Sequence, residues 1–134
     1  MDKGKLKGVS DAIALEKMFD NHVFKVCKPK DSAFLSQLSK TRGLHEVDAE
    51  VLALAKENKA LAVIDDEVAR KTAKVYGIVY VGTPYVLVRA VFEGLLSKEA
   101  AKSSINDMVS AGWRCSLESY AEIMRLIENF TLLK

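Results

Sequence analysis

Leu61-Ala62-Val63-Ile64-Asp65-Asp66 is a short apolar run closed at once by two carboxylates. Unbroken apolar runs of this length suit strands buried on both faces of a parallel sheet. In open parallel sheets, ligands sit beyond the carboxyl ends of the strands. Asp65 and Asp66 therefore stand where chemistry is expected, and Asp66 is also placed to cap a following helix.

Working outward, the spacing predicts helices on both sides of this run. Glu46–Asn58 carries Val51, Leu52, Leu54 and Ala55 on one face, and Asp66–Tyr76 carries Val68, Ala69, Thr72, Ala73 and Tyr76. A second β-branched run, Ile78–Val81, stops at Gly82, and Thr83-Pro84 reads as a cap and first helical residue for a helix to about Gly94. Two serine-opened amphipathic helices, Ser97–Ala111 and Ser116–Phe130, close the chain. Upstream, Ser10 precedes a helix over Asp11–Asp20, and Asp31 can cap Ser32–Lys40. Between them His22–Lys28 alternates in polarity and ends at Pro29, so it is expected to be a strand. The pattern is α/β with a mainly parallel sheet and a C-terminal helical pair, over one continuous domain of 134 residues.

Composition bounds the class. Apolar residues are 49% and charged residues 28%, which excludes disordered, collagenous and coiled-coil chains. No apolar run approaches the roughly 18 residues of a membrane span, and the N-terminus lacks the apolar core of a signal peptide. Cys27 and Cys115 lie far apart with no CxxC, so neither a disulfide framework nor a zinc knuckle is available. They are expected to be small core hydrophobes in a reducing cytoplasm.

The net charge of +2 hides a pattern. Residues 1–43 hold nine Lys and Arg against five Asp and Glu, residues 44–67 two against seven, and residues 68–134 nine against six. An acidic block between basic flanks fits a carboxylate cluster that holds a cation beside a surface for a polyanion. Asp48 falls in the first turn of its helix, where an ionised carboxylate is favoured. Asp48, Asp65 and Asp66 are expected to converge at one edge of the sheet. Close carboxylates repel unless a cation lies between them, and hard oxygen donors select Mg²⁺ or Mn²⁺. The same residues have simpler uses: Asp66 as a cap, Asp48 as a solvated charge, and Asp66 with Arg70 as a helix-face pair.

Other chemistries find little support. His22 and His45 have no Ser or Cys at useful spacing, so no hydrolase triad forms. There is no GxGxxG and no Walker sequence. Trp113 and Tyr120 read as packing residues, and Lys71 and Lys74 as solvated charges.

The string Leu44-His45-Glu46-Val47-Asp48-Ala49-Glu50-Val51-Leu52-Ala53-Leu54-Ala55, then Ile64-Asp65-Asp66-Glu67-Val68-Ala69-Arg70, resembles a PIN domain. Gly82-Thr83, Leu87-Val88-Arg89-Ala90 and Glu93-Gly94-Leu95-Leu96 extend the likeness to a prokaryotic, largely archaeal subgroup. The resemblance covers residues 44–130 well and residues 1–43 loosely. It implies a three-layer α/β/α fold with a five-stranded parallel sheet in the order 3-2-1-4-5. It also implies a cytoplasmic endoribonuclease of the toxin or RNA-processing kind, in which Mg²⁺ or Mn²⁺ activates water for in-line attack. By the resemblance Asp48 and Asp66 are catalytic, Asp48, Asp65 and Asp66 hold metal, Arg70 touches phosphate and the Thr83 hydroxyl holds a metal-bound water. RNA, an antitoxin protein and a second copy of the chain are the implied partners.

One feature departs from the family. Its central first strand, a "VVxDTSxLI" run carrying the main metal-binding aspartate, has no counterpart in residues 1–43, and Asp2–Ala12 resembles the region after the family's first two helices. The expectation is an N-terminally shortened PIN domain whose gap is closed by neighbouring strands, by another chain, or by the missing strand itself, cut from a longer protein and still bound, and which cleaves RNA poorly. The alternative is a non-catalytic remnant that binds RNA or protein.

Overall fold

The computed structural model describes residues 10–129. Their order is α1 (Ser10–Asp20), α2 (Ser32–Leu38), α3 (Glu46–Asn58), β1 (Ala62–Val63), α4 (Glu67–Val75), β2 (Tyr80–Val81), α5 (Thr83–Phe92), α6 (Lys98–Ser110) and α7 (Leu117–Asn129). This is a mostly helical fold around a small parallel sheet. Asp2–Val9 and the last expected helical residue, Phe130, lie outside the described residues.

Short polar side chains start the helices by accepting otherwise unpaired N–H groups. Asp31 Oδ1 accepts from Phe34 N–H at 2.9 Å, Asp66 Oδ1 from Ala69 N–H at 2.8 Å, and Ser97 Oγ from Ala100 N–H at 3.1 Å. Helix α3 stops where Lys59 turns left-handed at φ 50°, and Ala60 N–H closes the turn onto Ala55 C=O at 2.8 Å. Helix α5 begins with Gly82 as its cap residue, one position before the expected Thr83. No helix among the described residues is long and apolar enough to cross a membrane.

The strands pair in register Ala62↔Tyr80 and Val63↔Val81. Ala62 N–H donates to Val79 C=O at 3.0 Å and Ile64 N–H to Val81 C=O at 2.8 Å. Ala62, Ile64 and Ile78 are buried in a cluster with Phe34, Leu38, Leu52 and the small residues Ala49, Ala53, Ala69 and Ala73. Alanines at these contacts let α3 and α4 pack close to the sheet. A second cluster joins α5, α6 and α7 through Val91, Ala101, Ile105 and Ile127.

Two expectations need correction. His22–Lys28 is not a strand: residues 21–24 turn, and 25–29 run without regular structure, because among the described residues no strand pairs with them. The cysteines are not core residues either. Cys27 is exposed on that unpaired segment, and Cys115 is half-buried after the α6–α7 turn, where burial pushes its thiol pKa up.

Candidate functional site

The carboxyl end of β1 meets the N-termini of α4 and α5, so two sets of free helix N–H groups point at adjacent aspartates. Each aspartate serves a different helix. Asp66 caps its own helix α4 through the bond to Ala69. Asp65 reaches across to α5: its Oδ1 accepts from Thr83 N–H at 2.9 Å and its Oδ2 from the Thr83 hydroxyl at 2.5 Å. Gly82 supplies no side chain to that helix start, and the Asp65 carboxylate takes the part of the missing cap, its charge complementing the helix dipole.

Arg70 completes the corner. It sits one turn into α4, its Nε donates to Ile64 C=O at 3.0 Å, and its guanidinium lies 3.4 Å from Asp65 Oδ1. The small residue at 82 makes room for this arrangement. A Cβ on Gly82 would run into the Arg70 guanidinium and stand 2.9 Å from Asp65 Oδ1.

The neighbouring cleft is broad, about 1040 Å³, and runs from Asp65, Asp66 and Glu67 past Tyr85 to Trp113 and the start of α7. Its walls carry five acidic residues (Asp65, Asp66, Glu67, Glu118, Glu122) against Arg70 and Arg114. Lys71 pairs with Glu67 at 2.6 Å, which holds the Glu67 carboxyl below its ordinary range and raises the Lys71 ammonium. Glu122 is held by Arg125 at 2.7 Å.

The structure brings Asp65, Asp66, Arg70 and Thr83 together. It does not assemble the expected metal centre: among the described residues no three His, Cys, Asp or Glu side chains form a group able to hold a metal ion. The donor set explains why. Both oxygens of Asp65 are occupied by Thr83, one of them shared with Arg70, and Asp66 Oδ1 is committed to its cap. Asp48 lies half-buried in the first turn of α3, with no hydrogen bond to this corner. The Arg70 guanidinium stands beside Asp65 where a cation was expected. Among the described residues Asp48, Asp65 and Asp66 are thus not gathered into one group of carboxylates.

The resemblance assigns Thr83 and Arg70 to water and phosphate, whereas both bind Asp65 in the structure. In the sequence Gly82 reads as a strand stop and as part of the Gly82-Thr83 likeness. The missed signal was the absence of a capping side chain at Gly82, which obliges α5 to find its acceptor elsewhere.

No curated protein and no solved structure matches the chain. A family model described as a PIN domain matches residues 1–129. With a match over nearly the whole chain, and with the aspartates at the carboxyl end of a parallel strand, the chain belongs to the PIN-domain family.

Proposed function

We propose that this chain is a non-catalytic PIN-domain protein that works by binding a protein partner. The observation that carries this reading is the engagement of both Asp65 oxygens by Thr83 and Arg70, which makes the expected metal ligand a helix cap. The acidic cleft supports a protein rather than RNA, because phosphates are repelled where carboxylates outnumber cations. Three basic side chains at or beside it are engaged, Arg70 with Asp65, Lys71 with Glu67, and Arg125 with Glu122, which leaves Arg114 as the further cation on its wall.

Family membership favours a second reading, a Mg²⁺- or Mn²⁺-dependent endoribonuclease of the toxin or RNA-processing type. In that reading Asp48 and Asp66 are catalytic, Asp65 joins them on the metal, Arg70 and Thr83 meet the RNA, and an antitoxin is a partner. One experiment separates the two. Labelled RNA is incubated with the purified chain in Mn²⁺ and in EDTA, and the protein's size is measured in cell extract before and after ribonuclease treatment. The binding reading expects intact RNA and a complex larger than the 14.8 kDa chain that survives ribonuclease. RNA cleavage that needs Mn²⁺ and is lost in Asp66→Asn would establish the nuclease reading instead.

A further inference from the structure

Arg70 stands where helix physics favours an acid. It closes the first turn of α4, whose cap is Asp66, and the start of α5 opens into the same corner. Helix N-termini attract carboxylates and disfavour cations. Helix stability therefore does not account for a base at this position. Lys71, one residue on, makes the ordinary exposed pair with Glu67 four residues back.

The Arg70 guanidinium is also seated rather than loose. Its Nε donates to Ile64 C=O at 3.0 Å and its Nη2 reaches Asp65 Oδ1 at 3.4 Å, so two successive residues at the end of β1 hold it. Position 82 leaves it room, since a Cβ on Gly82 would fall on Nη2. The Arg70 and Asp65 side chains are 39% and 34% exposed, partly withdrawn from water, so salt screens them less than an open surface pair. A guanidinium also keeps its proton at every pH a folded protein meets, which makes this charge permanent.

We infer that Arg70 is the resident cation of this corner, a built-in competitor that keeps a divalent ion off Asp65. This deepens the non-catalytic reading and rests on it. The two Thr83 bonds do not have that effect. Their donors are neutral, and a carboxylate that accepts from neutral donors keeps its charge and spare lone pairs for a cation. Arg70 supplies the opposite charge itself. A divalent ion touching Asp65 Oδ1 would lie against the guanidinium and be repelled unless it pushed the side chain out, at the loss of the bond to Ile64 C=O. One residue, placed against the preference of its own helix, thus decides whether the corner takes a metal.

The test is Mn²⁺ binding, followed by the electron paramagnetic resonance of the free ion, for the full chain, Arg70→Met and Arg70→Lys. Methionine keeps an unbranched stem and removes the charge, while lysine keeps the charge and loses the fork. Arg70→Met should bind at least about tenfold more tightly than the full chain, the scale of removing one like charge near a surface. Arg70→Lys should bind as the full chain does, and Asp65→Asn added to Arg70→Met should abolish the gain. Equal binding by all three chains overturns the inference, as does a gain that Arg70→Lys shares or that survives Asp65→Asn. A second measurement needs no variant. Mn²⁺ should broaden the Thr83 amide signal of the full chain no more than amides beside other exposed carboxylates, and selective broadening of Thr83 overturns the inference. A full chain that leaves RNA intact, with no gain in Arg70→Met, overturns this inference alone. Asp66-dependent RNA cleavage by the full chain in Mn²⁺ overturns the non-catalytic reading, whatever Arg70→Met binds.

Discussion

Two adjacent aspartates show how one residue type serves different ends according to its neighbours. Asp66 is a cap whose acceptor role was readable from sequence, because its partner Ala69 is three residues away. Asp66→Ala should cost about 0.5–2 kcal/mol in urea unfolding, and Asp66→Ser only a few tenths, since serine caps nearly as well. Asp65 was not readable in this way. Its partner Thr83 is 18 residues distant and meets it only because β1 and β2 pair. Thr83→Val removes the hydroxyl donor and keeps the shape, and should cost about 1 kcal/mol, the ordinary worth of one such bond. Gly82→Ala should cost more, because its Cβ collides with Arg70 and Asp65 together. The metal expectation is tested at this scale too. With its oxygens engaged, the corner should give no shift in melting temperature with Mg²⁺ or Mn²⁺. A shift that Asp66→Asn abolishes would show that the caps yield to a cation.

At the scale of elements, helices were legible and strands only in part. Asp31, Asp66 and Ser97 mark helix starts by chemistry local to the chain, and the expected bounds held to within a residue or two at most ends. His22–Lys28 has a strand's alternation but needs a partner, and pairing is a property of the fold rather than of the segment. Helix ends also carry hidden strain. Lys59 is left-handed, a conformation that glycine adopts without steric cost, so Lys59→Gly should stabilise the protein by up to about 1 kcal/mol in urea unfolding. The α6–α7 pair adds a dependence on pH. Lys98 Nζ donates to Glu128 C=O at 2.6 Å, and Lys102 pairs with the Glu128 carboxylate. The hydrogen bond and charge of Lys102 hold that carboxyl below its ordinary 4.5. A depressed carboxyl stabilises fully above that value and loses its effect as pH falls through the folded-state pKa. Stability curves of wild type and Lys102→Met should therefore differ slightly at neutral pH and converge on acidification, the effect being small because the pair is exposed.

Across the whole molecule, packing divides into two sets. Helices α2, α3 and α4 gather with the sheet around Leu38 and Leu52, while α5, α6 and α7 gather around Ile105 and Ile127. The chain passes from one to the other at Gly82, and the two Asp65–Thr83 bonds tie β1 of the first set to α5 of the second. Whether they unfold together depends on how strongly that corner couples them, since separate cores open independently unless their interface resists. The single tryptophan, Trp113, lies at the α6–α7 turn and reports on the second set, while far-UV circular dichroism reports on both. Leu52 is fully buried in the first cluster, so Leu52→Ala should cost about 2–5 kcal/mol there. It should move the dichroism transition more than the Trp113 fluorescence transition, and Ile127→Ala should do the reverse. Thr83→Val should then widen the gap between the two probes, because it cuts the bridge without touching either core. Coincident transitions in all three variants would instead establish one cooperative unit, with the capped corner as rigid as the cores it joins.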